Sequence, residues 1–576
     1  MTLMTTDRPL NGPQTTGRDY RNLSQPQFTN RHDNNVRVPM RDGVDLLADV
    51  HRPETHGRYP ALIAASPYPR QMQDFGAPAG FIEAGATDFW VSRGYVHVIA
   101  NVRGTGGSGG TFGFFDPQER RDMYDLVEWA AAQPWCDGNV GMIGISYFAM
   151  TQLEAAVERP PHLKAIFPVA VTADLYEGAS HHGLASTSFI TPFLSMMGLM
   201  TDRSDGFWRR NPVIAAARKV LHLPPVHRKF ATMNGEAAVT MMRALLKLPH
   251  SPHPWDDLWL DAVVKHPLRD NWWEARNLLP LLENIDIPVY LGCDWENVPL
   301  HLPSTFTAWK ALADKANIRM ALLGQFGLTW PWESLHHEAL AWYDHWLKGY
   351  DTGILEGPPI RYVLPGADGW HTAGQWPPAA TTLTEFALRA DGRLDRAEGT
   401  PGSREYLTLG AGLNRPKASP TDPPASLSWT SAPLTETVDV VGDIELRLVA
   451  SATAPDTAWI ATLEHVAADG TTSEVTAGWL RASLREADEA KSRPGAPVLP
   501  CRTFAPVPIG EDVEYRIPLV PNARRFAAGD RIRLTLTSDD QDPQTPAIMN
   551  FRHASVGTSS LNTVRSSSRL VLPVQT

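Results

Sequence analysis

The segment Val140-Gly-Met-Ile-Gly-Ile-Ser-Tyr-Phe-Ala-Met150 runs from an apolar stretch through a small residue and a serine into residues suited to a helix. A nucleophile elbow is built this way. Small neighbours at Gly144 and Ala149 let the chain turn tightly, so that Ser146 Oγ stands exposed at a helix N-terminus. Phe148 departs from the G-x-S-x-G pattern, because a bulky residue holds the second glycine position. A serine so placed attacks a carbonyl carbon, and the backbone N–H of Tyr147, the next residue, is positioned to donate to the oxyanion that develops. A bare G-x-S also occurs at ordinary strand-to-helix turns, so the rest of the chain must supply the remaining machinery.

That machinery is a base to take the serine proton and a carboxylate to hold the imidazolium. In the fold that carries such elbows, the chain order is serine, acid, histidine. After the strand-like Ile287-Pro-Val-Tyr-Leu-Gly292, the stretch Cys-Asp-Trp-Glu-Asn297 offers Asp294 and Glu296 as acids. His336 and His337 follow, at the start of a helical stretch. At helical spacing His336 shares a face with Leu340, Tyr343 and Leu347, while His337 lines up with Ala341, Asp344 and Lys348. His336 is therefore expected to point inward, either as the base or as a core histidine satisfied by hydrogen bonds.

Other chemistries fit less well. Gly104-Thr-Gly-Gly-Ser-Gly-Gly110 lacks the Lys-Ser/Thr ending of a P-loop and the spacing of a dinucleotide fingerprint, and reads as a tight loop beside the elbow. The pairs His181-His182 and His336-His337 come without metal-ligand spacing. Neither a cofactor nor a metal is expected. Trp255, Trp259, Trp272 and Trp273 could line an acyl pocket, although large aromatics more often fill cores.

The elements that must position these residues alternate in type. Val36 to Pro53 reads as a hairpin turning at Arg41-Asp42-Gly43. Short apolar runs follow at Ala61–Ala65, Tyr95–Ala100, Val140–Ile145, Ala165–Val171 and Val289–Leu291, with helical stretches at Asp116–Gln133 and Thr151–Val157 between them. This predicts a mostly parallel α/β sheet covered on both faces. From Thr172 to about Arg276 the sequence is rich in Met, Trp, His and Leu, with helix-like segments such as Gly235–Leu248, and reads as a helical insertion. The α/β pattern resumes at Ile285 and closes with a helix over Glu333–Lys348. Beyond about residue 355, two-residue periodicity at Ile444–Leu448 and Arg531–Thr537, with further candidates at Trp459–Val466 and Glu514–Leu519, predicts an antiparallel sandwich.

With 576 residues, the chain is too long for a single small module. A formal net charge of −11 gives no general basic footprint, so nucleic acid is not an expected partner. The three cysteines, Cys136, Cys293 and Cys501, lie far apart, which fits a reducing compartment. No secretory signal is visible in the polar first 35 residues, and Leu184–Thr201 is too interrupted to span a membrane. A cytoplasmic protein, alone or as a homo-oligomer, is the expectation.

The elbow resembles the G-x-S-Y-x-G motif of the cocaine esterase and X-prolyl dipeptidyl aminopeptidase group of α/β hydrolases, with Ala149 at its last glycine. Other pieces resemble that group in the same order: MRDGVDLLADVHRP, then SPYPR (Ser66–Arg70), NVRGTGGSGG (Asn101–Gly110) and WYDHWLKG (Trp342–Gly349). The resemblance implies an α/β-hydrolase fold over 36–175 and 276–354 after a polar tail of 1–35, a helical cap over 176–275, and a C-terminal jelly-roll over 355–576. It places Glu296 at the catalytic acid of a G-W-x-D pattern and Tyr68 at a second oxyanion donor. A branch of the family carries a histidine at the position of His336. In cocaine esterase-like relatives, however, the histidine follows a strand in a G-P-W-S/T-H pattern, and that position here is Leu328, which cannot accept a proton. The implied activity is hydrolysis of small-molecule carboxylic esters or amides through an acyl-enzyme. X-Pro dipeptide release and acyl transfer are alternatives on the same fold. An impaired, carbohydrate- or ligand-binding pseudoenzyme is the rival of another class.

Overall fold

A computed structural model describes residues 15–73, 82–201, 205–221, 223, 225–226, 254–324, 335–410, 419, 421–540 and 552–575. The opening hairpin pairs β1 (Asn30–Pro39) with β2 (Asp45–Pro53), and Gly43 takes the positive φ of +85° that its turn requires. The segment 1–35, expected as a polar tail, is in part structural. Asn30 already begins β1, and Thr16 and Ser24 bond Glu338 and Asp344 of the helix that closes the hydrolase region.

β3 (Tyr59–Ser66), β4 (Val96–Asn101), β5 (Cys136–Ile145), β6 (Leu163–Val169), β9 (Val289–Asp294) and β10 (Ile318–Leu323) pair in parallel, as their apolar runs predict. β4, β9 and β10 are buried at every residue. Helices α1 (Arg70–Gln73), α2 (Thr87–Val91), α3 (Pro117–Ala131) and α4 (Tyr147–Glu158) alternate with the first of these strands. Asp116 caps α3 by accepting from the Gln118 and Glu119 amides. The sheet order β1-β2-β4-β3-β5-β6-β9-β10 reverses direction between β3 and β5. In an open α/β sheet, the crevice outside the carboxyl ends of the strands at that reversal is where ligands bind.

The insertion is helical, as expected, in α5 (Leu175–Ala179), α6 (Thr187–Thr201), α7 (Asp205–Arg210), α8 (Pro212–Leu221), α9 (Trp255–Leu260) and α10 (Asn271–Glu274). It also holds a small hairpin of β7 (Ser180–His181) and β8 (Leu184–Ala185), which the composition did not signal. Gly235–Leu248 lies outside the described residues, as does Leu328. Trp255 and Trp273 are core residues, Trp255 packing on Phe112 at 4.9 Å and Trp273 edge-on to Tyr176 at 5.5 Å. Among the described residues, no helix is long and apolar enough to cross a membrane.

After α11 (Leu302–Leu312), the closing helix α12 spans His336–Lys348 and ends at Gly349 in the left-handed conformation. The next two strands, β11 (Ile360–Val363) and β12 (Trp370–Ala373), extend the first sheet beyond β10 before the chain enters the sandwich. The sandwich comprises β13 (Thr381–Leu388), β14 (Leu394–Asp395), β15 (Ser403–Thr408), β16 (Ser426–Thr430), β17 (Val438–Ala452), β18 (Ala458–Val466), β19 (Thr472–Arg481), β20 (Val513–Phe526), β21 (Arg531–Thr537), β22 (Ser560–Arg565) and β23 (Arg569–Gln575). Among the described residues the ladders between these strands are antiparallel, and the four segments expected as strands fall in β17, β18, β20 and β21.

Candidate functional site

Ser146 has φ +57° and ψ −117°, a conformation that a side chain tolerates only where its surroundings impose it. Its amide donates to Val169 O of β6 at 2.9 Å, and its carbonyl accepts from Ala149 and Met150 as α4 begins. A Cβ on Gly144 would fall 2.4 Å from Phe148 Cβ and 3.1 Å from Glu83 O. This explains the departure from G-x-S-x-G: the first glycine leaves the room that Phe148 fills, edge-on to Tyr68 at 5.9 Å. The Tyr147 amide is the first of α4 and so has no carbonyl one turn back within the helix.

Tyr68 stands just beyond the end of β3, beside the elbow, and its hydroxyl is hydrogen-bonded to Ser146. Burial, then the charge of Glu83, pushes the phenol well above its ordinary value, so it remains a donor. A network of buried polar groups holds its backbone. Asn101 Nδ2 donates to Tyr68 O at 2.8 Å and to Ser66 O at 3.2 Å, while Asn101 Oδ1 accepts from Arg70 at 2.9 Å. Arg70 also donates to Gly106 O at 2.6 Å and to Asp49 at 3.2 Å. A Cβ on Gly106 would lie 2.1 Å from Asn101 Oδ1. The glycine-rich loop therefore wraps the asparagine that fixes Tyr68, in agreement with its reading as a tight loop beside the elbow. Asn101 and Arg70 lie inside the family-like segments Asn101–Gly110 and Ser66–Arg70, but nothing in their spacing marks them as site residues. Asp49 also receives Arg209 of α7 at 2.5 Å, which ties the cap to this network.

Beneath the elbow, the Tyr147 hydroxyl donates to Glu119 Oε1 at 2.7 Å, and Phe115 stacks on the Tyr147 ring at 4.0 Å. Burial pushes the Glu119 carboxyl up to about 8, against the opposing hydrogen bond from Tyr147. Glu154, on α4, is pushed up as well, by burial and then by Glu119.

The two acid candidates lie at the end of β9. Asp294 Oδ1 accepts from Asn297 N at 3.1 Å and from Asn297 Nδ2 at 2.6 Å, which engages that oxygen in shaping the loop. Glu296 is half-buried on the same loop. Trp295 anchors it through its N–H to Leu323 O at 3.2 Å and its indole to Val363 O at 2.6 Å.

His336 is 3% exposed, and its ring stacks on Phe89 at 4.6 Å, so it points inward as its spacing predicts. Its face-mates Leu340, Tyr343 and Leu347 are buried, but so are Ala341 and Asp344 on the other face. His337 is half-buried, 6.1 Å from Phe89, and burial, then Arg93, lowers its pKa. α12 runs against β5 in the opposite direction: Asn139 reaches Leu347 O, and Tyr343 reaches Met142 O. With a rise of about 1.5 Å per helical residue against about 3.3 Å per strand residue, the N-terminus of α12 comes level with Gly144–Ser146. Leu335, just before it, is 3.4 Å from where a Cβ on Gly292 would be.

The family model for the X-Pro dipeptidyl-peptidase (S15 family) matches residues 42–327, and that for the X-Pro dipeptidyl-peptidase C-terminal non-catalytic domain matches 353–549. Cocaine esterase of Rhodococcus sp. (strain MB1 Bresler) is 28% identical over 553 residues, covering 88% of this chain and 90% of its own. Xaa-Pro dipeptidyl-peptidase of Lactobacillus delbrueckii subsp. lactis is 21% identical over 373 residues, covering 61% of this chain and 43% of its own. A CocE/NonD family hydrolase from Staphylococcus aureus superposes with a TM-score of 0.74 at 22% identity, covering 95% of this chain and 94% of that one. An α-amino acid ester hydrolase gives 0.68 at 18% identity, over 100% of both chains. Two family models in succession, a curated relative along nearly the whole length and the shared architecture agree with the motifs, and the chain belongs to the cocaine esterase and X-Pro dipeptidyl-peptidase-like (CocE/NonD) family of α/β hydrolases.

Proposed function

We propose that the chain cleaves carboxylic esters of small molecules through an acyl-enzyme on Ser146. Ser146 Oγ attacks the carbonyl carbon while His336 takes its proton. The tetrahedral oxyanion is held by the Tyr68 hydroxyl and the Tyr147 amide, and His336 returns the proton to the departing alcohol. Water then attacks the acyl-serine by the same relay. Glu296 orients the imidazole. The observation that carries this reading is the hydrogen bond between Tyr68 and Ser146 at the sheet's reversal, which sets an oxyanion donor and the nucleophile side by side.

The choice of Glu296 over Asp294 is supported by the hold of Asn297 on Asp294. The choice of His336 over His337 is supported by its deeper burial. An X-Pro dipeptidase needs a carboxylate in the cap for the free amine of its substrate. Glu177, an acid at the start of the cap, accepts from Arg269 at 3.0 Å and from the His182 amide at 3.2 Å, which favours a simple ester.

Labelling by a fluorophosphonate probe tests the reading, since covalent capture needs an activated serine. Labelling should survive His337→Ala and fall to background in His336→Ala and Ser146→Ala. An unlabelled wild-type chain would instead support a ligand-binding pseudoenzyme. Faster turnover of an X-Pro anilide than of a short-chain p-nitrophenyl ester would overturn the ester preference, and transfer to an added alcohol in preference to water would establish an acyltransferase.

A further inference from the structure

The loop that carries Glu296 is held from the C-terminal sandwich by a chain of buried side chains. His181 Nε2 lies 2.5 Å from Pro299 O, three residues beyond Glu296. His181 Nδ1 lies 2.6 Å from His553 Nε2, and His553 Nδ1 lies 2.7 Å from Asp540 Oδ2. The His553 amide donates to the other Asp540 oxygen at 2.9 Å. His181 and His553 are 3% and 2% exposed, and Trp479 of β19 stacks on the His181 ring at 4.4 Å. On the other side of Glu296, Asn522 Nδ2 of β20 reaches Trp295 O at 3.4 Å.

The two ends of this chain determine where its protons lie. A carbonyl and a carboxylate only accept, so both outer ring nitrogens must carry hydrogen, and the contact between the rings needs one more. The two rings together therefore carry one proton more than two neutral imidazoles hold. Burial, followed by His553, drives the His181 pKa well below its ordinary value, and the Asp540 carboxylate faces His553 Nδ1. His181 is then the neutral ring that donates to Pro299.

We propose that the sandwich positions the catalytic acid: Asp540, His553 and His181 form a strut to Pro299, Asn522 holds Trp295, and Glu296 is set between the two. This rests on the reading of Glu296 as the triad acid. The four side chains are positioning residues, acting on the imidazole through the loop and the carboxylate it carries. The hydrolase region and cap alone would leave His181 without His553 behind it and Trp295 O without Asn522.

A double-mutant cycle on the full chain separates positioning from mere stability, read as kcat and KM on a short-chain p-nitrophenyl ester. His553→Gln should lower kcat about tenfold or more with KM within about twofold, the kind of loss that a small misplacement caused by a distant change produces. Asp540→Asn, which preserves shape, carries the same expectation should His553→Gln fail to fold, and Asp540→Glu should restore most of the rate. In a Glu296→Gln background either change should cost less than about twofold, because the group it positions is already gone. Wild-type kcat in both variants, with only a lower melting temperature, overturns the strut. So does a full cost of His553→Gln in the Glu296→Gln background. Full activity of Glu296→Gln itself overturns the acid assignment on which the proposal rests, and that result is distinct from the other two.

Discussion

Ser146 and Tyr68 sit at the ends of neighbouring strands, and the side chains that hold the Tyr68 backbone, Asn101 and Arg70, come from β4 and α1. Glu296 and His336 sit on a loop and a helix end, and the loop is tied to side chains more than 200 residues further along the chain. Under the proposed assignment, the half around Ser146 and Tyr68 is held by neighbouring elements around one sheet, while the half around Glu296 and His336 depends also on how the sandwich packs. Changes in the first half should act on the chemical step directly, and changes in the second should act through geometry that a distant residue can alter.

The sharpest break is Ser146→Ala, which should lower ester turnover by about 10⁴-fold or more with the melting temperature kept, as expected when the nucleophile of a triad is lost. Unimpaired turnover would end the assignment of the elbow. Next, Tyr68→Phe should cost about 10²–10³ in kcat with little change in KM, the effect of removing one oxyanion donor. A loss confined to KM would make Tyr68 a substrate contact only.

A smaller effect tests whether the glycine loop serves Tyr68. Gly106→Ala places a methyl against Asn101 Oδ1 at a φ of +55°, and should lower stability by about 1–3 kcal/mol of strain and lower kcat with it. If stability drops while the rate per folded molecule is unchanged, the loop supports the fold and not the donor.

The smallest effect concerns Glu119. Its folded pKa of about 8 lies above the ordinary 4.5, so the folded state holds a proton that the unfolded chain has already lost between those values. The stabilisation from its neutral form is complete below about 4.5 and is lost as pH rises through about 8. Melting temperature should therefore decline less steeply over this window in Glu119→Gln than in the wild-type chain. Parallel curves would show that Glu119 does not titrate differently in the folded protein.

Much of the oxyanion half was legible beforehand because it is contiguous. The elbow is a strand, a turn and a helix start in one run of residues, and Tyr68 lies in a short turn that matches a family motif. The parallel strands β3 to β6 announced themselves by unbroken apolar runs, and the sandwich strands by alternation. The hairpin at Ser180–Ala185 and the attachment of β11 and β12 to the first sheet were not legible, since two- and four-residue strands carry too little pattern to assign a partner. The fit of Phe148 at a glycine position was likewise hidden, because the space it uses is the absent Cβ of Gly144.

The sequence by itself determined which residues could act: a serine at a tight turn, an inward-facing His336, two acids after β9. Patterns of type and spacing report local backbone shape and which face is buried. Only the tertiary structure decided that Asn101 secures Tyr68, that Asn297 engages Asp294, and that Asp540 and His553 reach the loop of Glu296. Those relations join residues distant along the chain through buried hydrogen bonds, whose directions no local periodicity encodes.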